Sequence, residues 1–403
     1  MKWEKVKLGD IATFSNGINF NKTAYAKGIK LIGVSNFGDR FYPDYSQLQE
    51  VKKDIVRLED CLRNGDIVFV RSNGNKELVG RCMLVKNPTE RVTYSGFCIR
   101  ARLNDTDRYD PVYFTYYFKS KAFRRAVSGT AVGANIQNLS QARLSNHECR
   151  IPSIEVQHRI ADILSAYDNL IENNQKQIKL LEEAARRLYK EWFVDLRFPG
   201  HENTKIVDGV PEGWSKSTVF EVSAILRRGI SPKYNENARG IVINQKCIRQ
   251  TIVSYDEART QEKKYPAELE LKEADIAICS TGAGTLGRVG QIYEVRENTT
   301  LDSHVTLIRA NEKIGQQYLF WSLKMQQDYL MSAGKGSTNQ LELSRETIGN
   351  CKILIPEQKI AEQAEKNFVA IHNKMRECSM QIARLREARD LLLPKLMSGE
   401  VGV

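Results

Sequence analysis

Gly282, Gly284 and Gly287 stand in GxGxxG spacing inside the stretch STGAGTLGRVG. That spacing lets backbone amides approach a pyrophosphate, provided the glycines open a helix whose N-terminus faces the anion. Here RVGQIYEV follows and alternates as a strand does, so a tight turn between strands is expected instead. Other fragments stop short in similar ways. Gly334-Lys335 is followed by Gly336, where a phosphate-binding loop needs Ser or Thr. The run DEAR, Asp256 to Arg259, has the letters of a helicase acidic box, but without that loop it reads as a solvated helical turn. NPTE at Asn87 lacks the second proline and the aromatic residue with which an amino-methyltransferase grips a flipped adenine. ELELK at Glu268 has an ExK fragment without a convincing metal-binding Asp before it, and His147-Glu148 lacks the second His of HExxH. No catalytic constellation emerges. A non-catalytic chain without its own cofactor or metal is expected.

Recognition chemistry is better represented. RSNGNKE supplies Arg71, Ser72, Asn73, Asn75 and Lys76; the matching STGAGTLGR supplies Ser280, Thr281, Thr285 and Arg288. GTAVGANIQN supplies Asn135 and Gln137, and its match GKGSTNQ supplies Lys335, Ser337, Asn339 and Gln340. Arg can bond guanine through two hydrogen bonds, Asn and Gln can bond adenine, and Ser or Thr can reach phosphate. The pairs Arg124-Arg125 and Arg227-Arg228, with Lys233, are candidate phosphate contacts. Ordinary polar loops and solvated charge are the competing reading of each segment taken alone. Recurrence of both loops in two places argues for a shared role.

The formal net charge of +11 is a mild hint of a polyanionic partner. At 403 residues the chain is long enough for two or three domains. No apolar run is long enough for a membrane span, and the start MKWEKVKLGDIATF has no signal-peptide core, so the cytoplasm is the expected compartment. The eight cysteines include no CxxC pair and read as buried, reduced thiols.

The elements that must position these loops come as an internal repeat. WEKVKLGDIA from Trp3 pairs with WSKSTVFEVS from Trp214, GDIVFVRSNG from Gly65 with ADIAICSTGA from Ala274, and GRCMLV from Gly80 with GRVGQI from Gly287. IRARL pairs with IRANE, and VYFTYYFK with QYLFWSLK, always in the same order. Each copy first alternates short strands with glycine turns, then carries an aromatic helix at about 111–126 or 315–331. An Ile-Pro step follows, at Ile151 and Ile355, and then a long helix. Its apolar seam runs through Ile160, Leu164, Ile171, Ile178, Leu181, Leu188 and Trp192, with Asn174 set within it. The second seam runs through Ile371, Met375, Ile382, Leu385, Leu392 and Leu396, interrupted at Arg389. Between its Ile-Pro step and the helix body the second copy has four extra residues, and Pro394 and Gly399 are expected to close the helix.

The expected architecture is α+β: two mixed α/β globules in tandem, joined by two long helices in an antiparallel coiled coil with a pseudo-two-fold internal repeat. The boundaries read 1–152, first globule; 153–197, central helix; 198–355, linker and second globule; 356–403, C-terminal helix.

YKEWFVDLRFPGHE from Tyr189 and LLLPKLMSGEV from Leu391 resemble the helix ends of type I restriction–modification specificity subunits. WEKVKLGDIA and the two Ile-Pro steps resemble that family's domain borders, so the resemblance covers essentially the whole chain. It implies two target-recognition domains reading a bipartite, asymmetric double-stranded DNA sequence methylated at N6 of adenine. It implies two methyltransferase subunits docked on the helices, and motor–nuclease subunits in the full complex. S-adenosylmethionine, ATP and Mg2+ are implied only for those partners. A coiled-coil adaptor with two protein-binding globules and a stand-alone DNA-binding regulator are the other classes compatible with the residues.

Overall fold

Short β-branched and aliphatic runs bounded by glycine or polar turns set the strands of this chain. The computed structural model describes residues 3–38, 40–72, 78–127, 138–282, 284–334 and 341–403. They divide into two compact units, one of residues 1–172 with 383–403 and the other of residues 173–382. The division falls inside both long helices rather than at their starts.

In the first unit a four-stranded antiparallel sheet has the order Ala12–Asn16, Cys98–Leu103, Ile67–Val70, Cys82–Leu84. A second sheet sets Tyr25–Ile32 between Gln49–Val51, antiparallel, and Val92–Tyr94, parallel. Glu4–Lys7 pairs with Glu148–Ile151, and Pro152 ends that strand just before the helix Ile154–Tyr189. The aromatic segment forms two helices, Pro111–Lys119 and Lys121–Val127, instead of one. The break is at Ser120, whose extended backbone leaves its Oγ free to accept from the Phe123 amide at 3.2 Å. Phe69, Phe114, Phe118 and Phe123 fill the core.

The second unit has the same strand orders. Its four-stranded sheet runs Ser223–Arg228, Val305–Ala310, Ile276–Cys279, Val289–Gln291, and its three-stranded sheet Arg259–Gln261, Gly240–Ile243, Thr299–Leu301. Ser215–Thr218 pairs with Lys352–Ile355 ahead of the helix Gln358–Ser398. Helices Gln316–Met325 and Gln327–Ser332 bury Tyr318, Phe320 and Trp321 with Phe368.

Each long helix is pinned to its aromatic helix by one side chain. Gln157 Oε1 accepts from the Asp110 amide at 3.0 Å in the first unit. Glu365 accepts from the Gln317 and Tyr318 amides at 3.0 and 2.8 Å in the second, satisfying the N-terminus of Gln316–Met325. Burial pushes the Glu365 carboxyl upward, and these amides oppose the shift.

None of the expected seam residues is exposed. Their burial has two sources. Ile160, Leu164 and Leu396 belong to the first globule's core, and Leu188, Trp192 and Ile371 pack against the second's. Arg389 is an ion-pair partner: it bonds Asp168 of the central helix, which also accepts from Tyr116 Oη at 2.6 Å. In the second unit Cys378 Sγ donates to Gln177 Oε1 of the central helix at 3.5 Å. Pro394 lies inside its helix and does not end it; Gly399, at φ +75°, follows the last helical residue.

Candidate nucleic-acid interface

Two sequence-distant loops share one neck in each unit. In the first, Arg71 and Ser72 leave the end of strand Ile67–Val70, and Ser72 forms an antiparallel bridge with Asn138. The Leu139 amide donates to the Arg71 carbonyl at 2.9 Å. In the second unit Thr281 bridges Glu342, and the Leu343 amide donates to the Ser280 carbonyl at 2.8 Å. The segment from Arg71 and the segment ending at Asn138 therefore start and finish together, as do their counterparts.

An exposed ring stands beside each neck. The Arg71 amide donates to the carbonyl of Phe97, a residue 63% exposed, at 2.8 Å, and the Ser280 amide donates to that of exposed His304 at 2.8 Å. Phe97 and His304 each precede the central strand of their four-stranded sheet, so the two rings are equivalent. An exposed ring at a loop base can stack on a base or meet a thymine methyl. His304 Nδ1 also bonds Thr281 Oγ1 at 2.7 Å.

The glycines of STGAGTLGRVG make a turn between paired strands, as expected, with φ of +103° at Gly282, +75° at Gly284 and +73° at Gly287. At Gly287 a Cβ would lie 2.4 Å from the Met331 amide nitrogen, so the turn packs directly on helix Gln327–Ser332. DEAR is not a helical turn. Asp256 and Glu257 lie in a turn that leads into strand Arg259–Gln261, where Arg259 stacks 3.4 Å above the Tyr234 ring. Among the described residues no group of His, Cys, Asp and Glu could hold a metal ion, and no helix is long and apolar enough to cross a membrane.

Residues 1–183 match the family described as type I restriction modification DNA specificity domain. The chain is 25% identical to the HindI specificity subunit of Haemophilus influenzae, with 99% of each chain covered. It is 27% identical to the MjaIX specificity subunit of Methanocaldococcus jannaschii, covering 81% of this chain and 76% of that one. The crystal structure of a type I restriction–modification S subunit from M. genitalium has the same fold, with a TM-score of 0.57 at 18% identity over 98% of this chain and 96% of that one. Residues 1–183 thus carry a type I DNA specificity domain, and the chain as a whole is similar to type I specificity subunits. Specificity subunits recognise DNA and are not themselves catalytic, which gives the necks and rings above their context.

The expected contact residues fall into four groups. Asn73, Asn75, Lys76, Asn135, Gln137, Lys335, Ser337, Asn339 and Gln340 lie outside the described residues. Arg71, Ser72, Thr281, Thr285 and Arg288 stand at or next to the necks, and none is fully buried. Arg124 and Arg125 lie in helix Lys121–Val127, which precedes the second loop of the first unit in sequence.

The remaining four have partners within their own unit. Ser280 is fully buried and shares a 2.6 Å hydrogen bond with Thr306, because its side chain points into the sheet. Arg227 is paired with Glu268, Arg228 with Glu342 at 2.6 Å, and Lys233 with Glu262 at 2.5 Å. Arg228 also donates to the Leu343 carbonyl at 3.1 Å, so it braces the neck. Sequence reasoning missed Phe97 and His304. A lone aromatic after glycine or serine carries no periodic signal until the sheet shows which loop it stands beside.

Proposed function

We propose that this chain is a specificity subunit that reads a bipartite, asymmetric DNA target, one half-site per unit. The observation that carries this reading is the repeated neck: the same strand end, backbone bond and exposed ring occur once in each unit. Two separately folded readers with different loop residues suit two different half-sites. The long helices act as an antiparallel spacer and as the dock for two methyltransferase subunits. The Arg389–Asp168 and Gln177–Cys378 contacts support antiparallel pairing, since the later residue on one helix meets the earlier on the other. The methyltransferase subunits carry S-adenosylmethionine and modify adenine at N6. Motor–nuclease subunits with ATP and Mg2+ complete the enzyme, which works in the cytoplasm.

The test is co-expression with the methyltransferase subunit and genome-wide mapping of modified adenines. A two-part motif is expected. Exchanging residues 1–150 for those of another specificity subunit is expected to change one half of it only. A change in both halves would overturn the one-unit, one-half-site reading.

A further inference from the structure

We infer that the second unit holds a DNA backbone phosphate in a basic pocket made by Lys246, Arg249 and Arg288. This rests on the DNA-recognition reading and adds an asymmetry to it. The pocket is open, about 490 Å³, and lined by those three residues with Gly284 and Thr285. Two turns meet to form it. Gln245–Cys247 is a 3-10 turn after strand Gly240–Ile243, and a Cβ on Gly282 would come within 3.0 Å of the Gln245 side chain. Gly282, at φ +103°, gives its turn a backbone that other residues rarely adopt. Thr285 Oγ1 fixes the second turn through the Thr281 and Gly282 carbonyls at 3.1 and 3.2 Å.

The three cations keep donors for a ligand. Lys246 is exposed and has no ion-pair partner among the described residues. Arg249 meets Glu257 only at 3.7 Å, with both side chains largely in water, a pairing of little strength. Arg288 spends one N–H on the Gly284 carbonyl at 2.6 Å, leaving the rest of its guanidinium donors. Three positive groups around one concavity suit a phosphodiester.

The first unit shows what is special here. Ile32 and Ile243 end equivalent strands, and both are followed by a 3-10 turn, Val34–Asn36 or Gln245–Cys247. Three residues beyond the strand end stands Ser35 in one and Lys246 in the other; six beyond stand Gly38 and Arg249. Arg81 corresponds to Arg288, and its Nη1 donates to the Gly38 carbonyl at 3.1 Å. Lys246 and Arg249 thus have no basic counterpart at these two positions of the first unit's turn. A backbone contact carries no base information, so the pocket supplies affinity and register rather than specificity.

The test uses the complex with its methyltransferase subunits and duplexes of about 30 base pairs with and without the mapped motif, long enough to span an ordinary interface. Replacing Lys246 and Arg249 by Ala is expected to weaken both duplexes about tenfold or more and to flatten log Kd against log salt by about two. The mapped motif is expected to stay the same. Ser35→Lys, a gain on the exposed turn of the first unit, is expected to steepen that slope by about one. Specific binding by the parent complex together with unchanged slopes in both variants overturns the inference and leaves the functional reading standing. Failure of the parent complex to bind any sequence preferentially overturns the functional reading and the inference with it. Stabilisation by inorganic phosphate that needs Lys246, with DNA slopes unchanged, assigns the pocket to free phosphate and also overturns it.

Discussion

Arg309 grips Asp275 with two hydrogen bonds, Nε to Oδ1 at 2.7 Å and Nη2 to Oδ2 at 2.6 Å, across two neighbouring strands of the second unit. Arg102 holds Asp66 in the same way in the first, with both distances 2.7 Å. Each aspartate is 1% exposed and also accepts a backbone amide three residues earlier, from Lys272 at 2.7 Å or Arg63 at 2.6 Å. The pair ties the turn before the strand to the centre of the sheet. Removing one partner strands a buried charge, which costs about 3–5 kcal/mol in well-buried pairs and less where, as here, the arginine reaches water. Asp275→Ala is expected to unfold the second unit by about 2–3 kcal/mol more easily. Hydrogen exchange read by mass spectrometry would show the loss in strands Ile276–Cys279 and Val305–Ala310, with the first unit's sheet unchanged.

Phe97 has a prominent exposed apolar surface beside the first neck. Stacking on a base contributes about 1–3 kcal/mol. Phe97→Ala is expected to weaken methylation of the cognate site roughly tenfold or more while leaving thermal stability unchanged. Methylation rates on a cognate oligonucleotide, beside a melting curve, check both halves of that statement.

Four residues added after Asn174 lengthen a helix by about 6 Å and over-rotate it by about 40°. At about 3.4 Å per base pair, the gap between half-sites is expected to grow by one or two base pairs. The over-rotation is expected to lower methylation at the new spacing. Both half-site sequences are expected to persist, since the necks are untouched. An active variant with its original spacing would remove the helices from the role of spacer.

Burial raises the thiols of Cys82 to about 11, Cys98 to about 12 and Cys279 to about 12, from an ordinary 9.0. A raised value in the folded chain means that the folded state keeps protons the unfolded state loses. This stability is complete below pH 9 and is lost as pH climbs through 11 to 12. By pH 10 each such thiol removes about 1.4 kcal/mol. The urea midpoint under reducing conditions is therefore expected to fall from pH 8 to pH 10. Iodoacetamide is expected to leave these thiols unmodified in the native chain.

The repeat was legible because burial writes itself into sequence. GDIVFV and ADIAIC must each cross a core, so Ile67, Phe69, Ile276 and Ile278 keep the same inward positions. The Ile-Pro steps were legible because proline ends a strand wherever it falls. The seam was legible as a stripe, yet its partners were not: Ile160 and Leu396 look like coiled-coil residues and sit in a globule core. Periodicity reports that a face is covered without saying by what. The candidate contacts were harder still. Ser280 and Thr281 are adjacent and chemically alike, but strand alternation turns one into the sheet and the other towards His304. Lys246 and Arg249 became visible only once the fold had brought their turn beside that of Thr285 and Arg288.

The neck bonds join main chain to main chain, Leu139 to Arg71 and Leu343 to Ser280. A bond of that kind is indifferent to which side chains lie between its ends. The segments it closes can accumulate substitutions while the strands beneath keep their register, so a lineage can try new targets without first becoming unstable. Evolvability is thus built in at four backbone atoms in each reader.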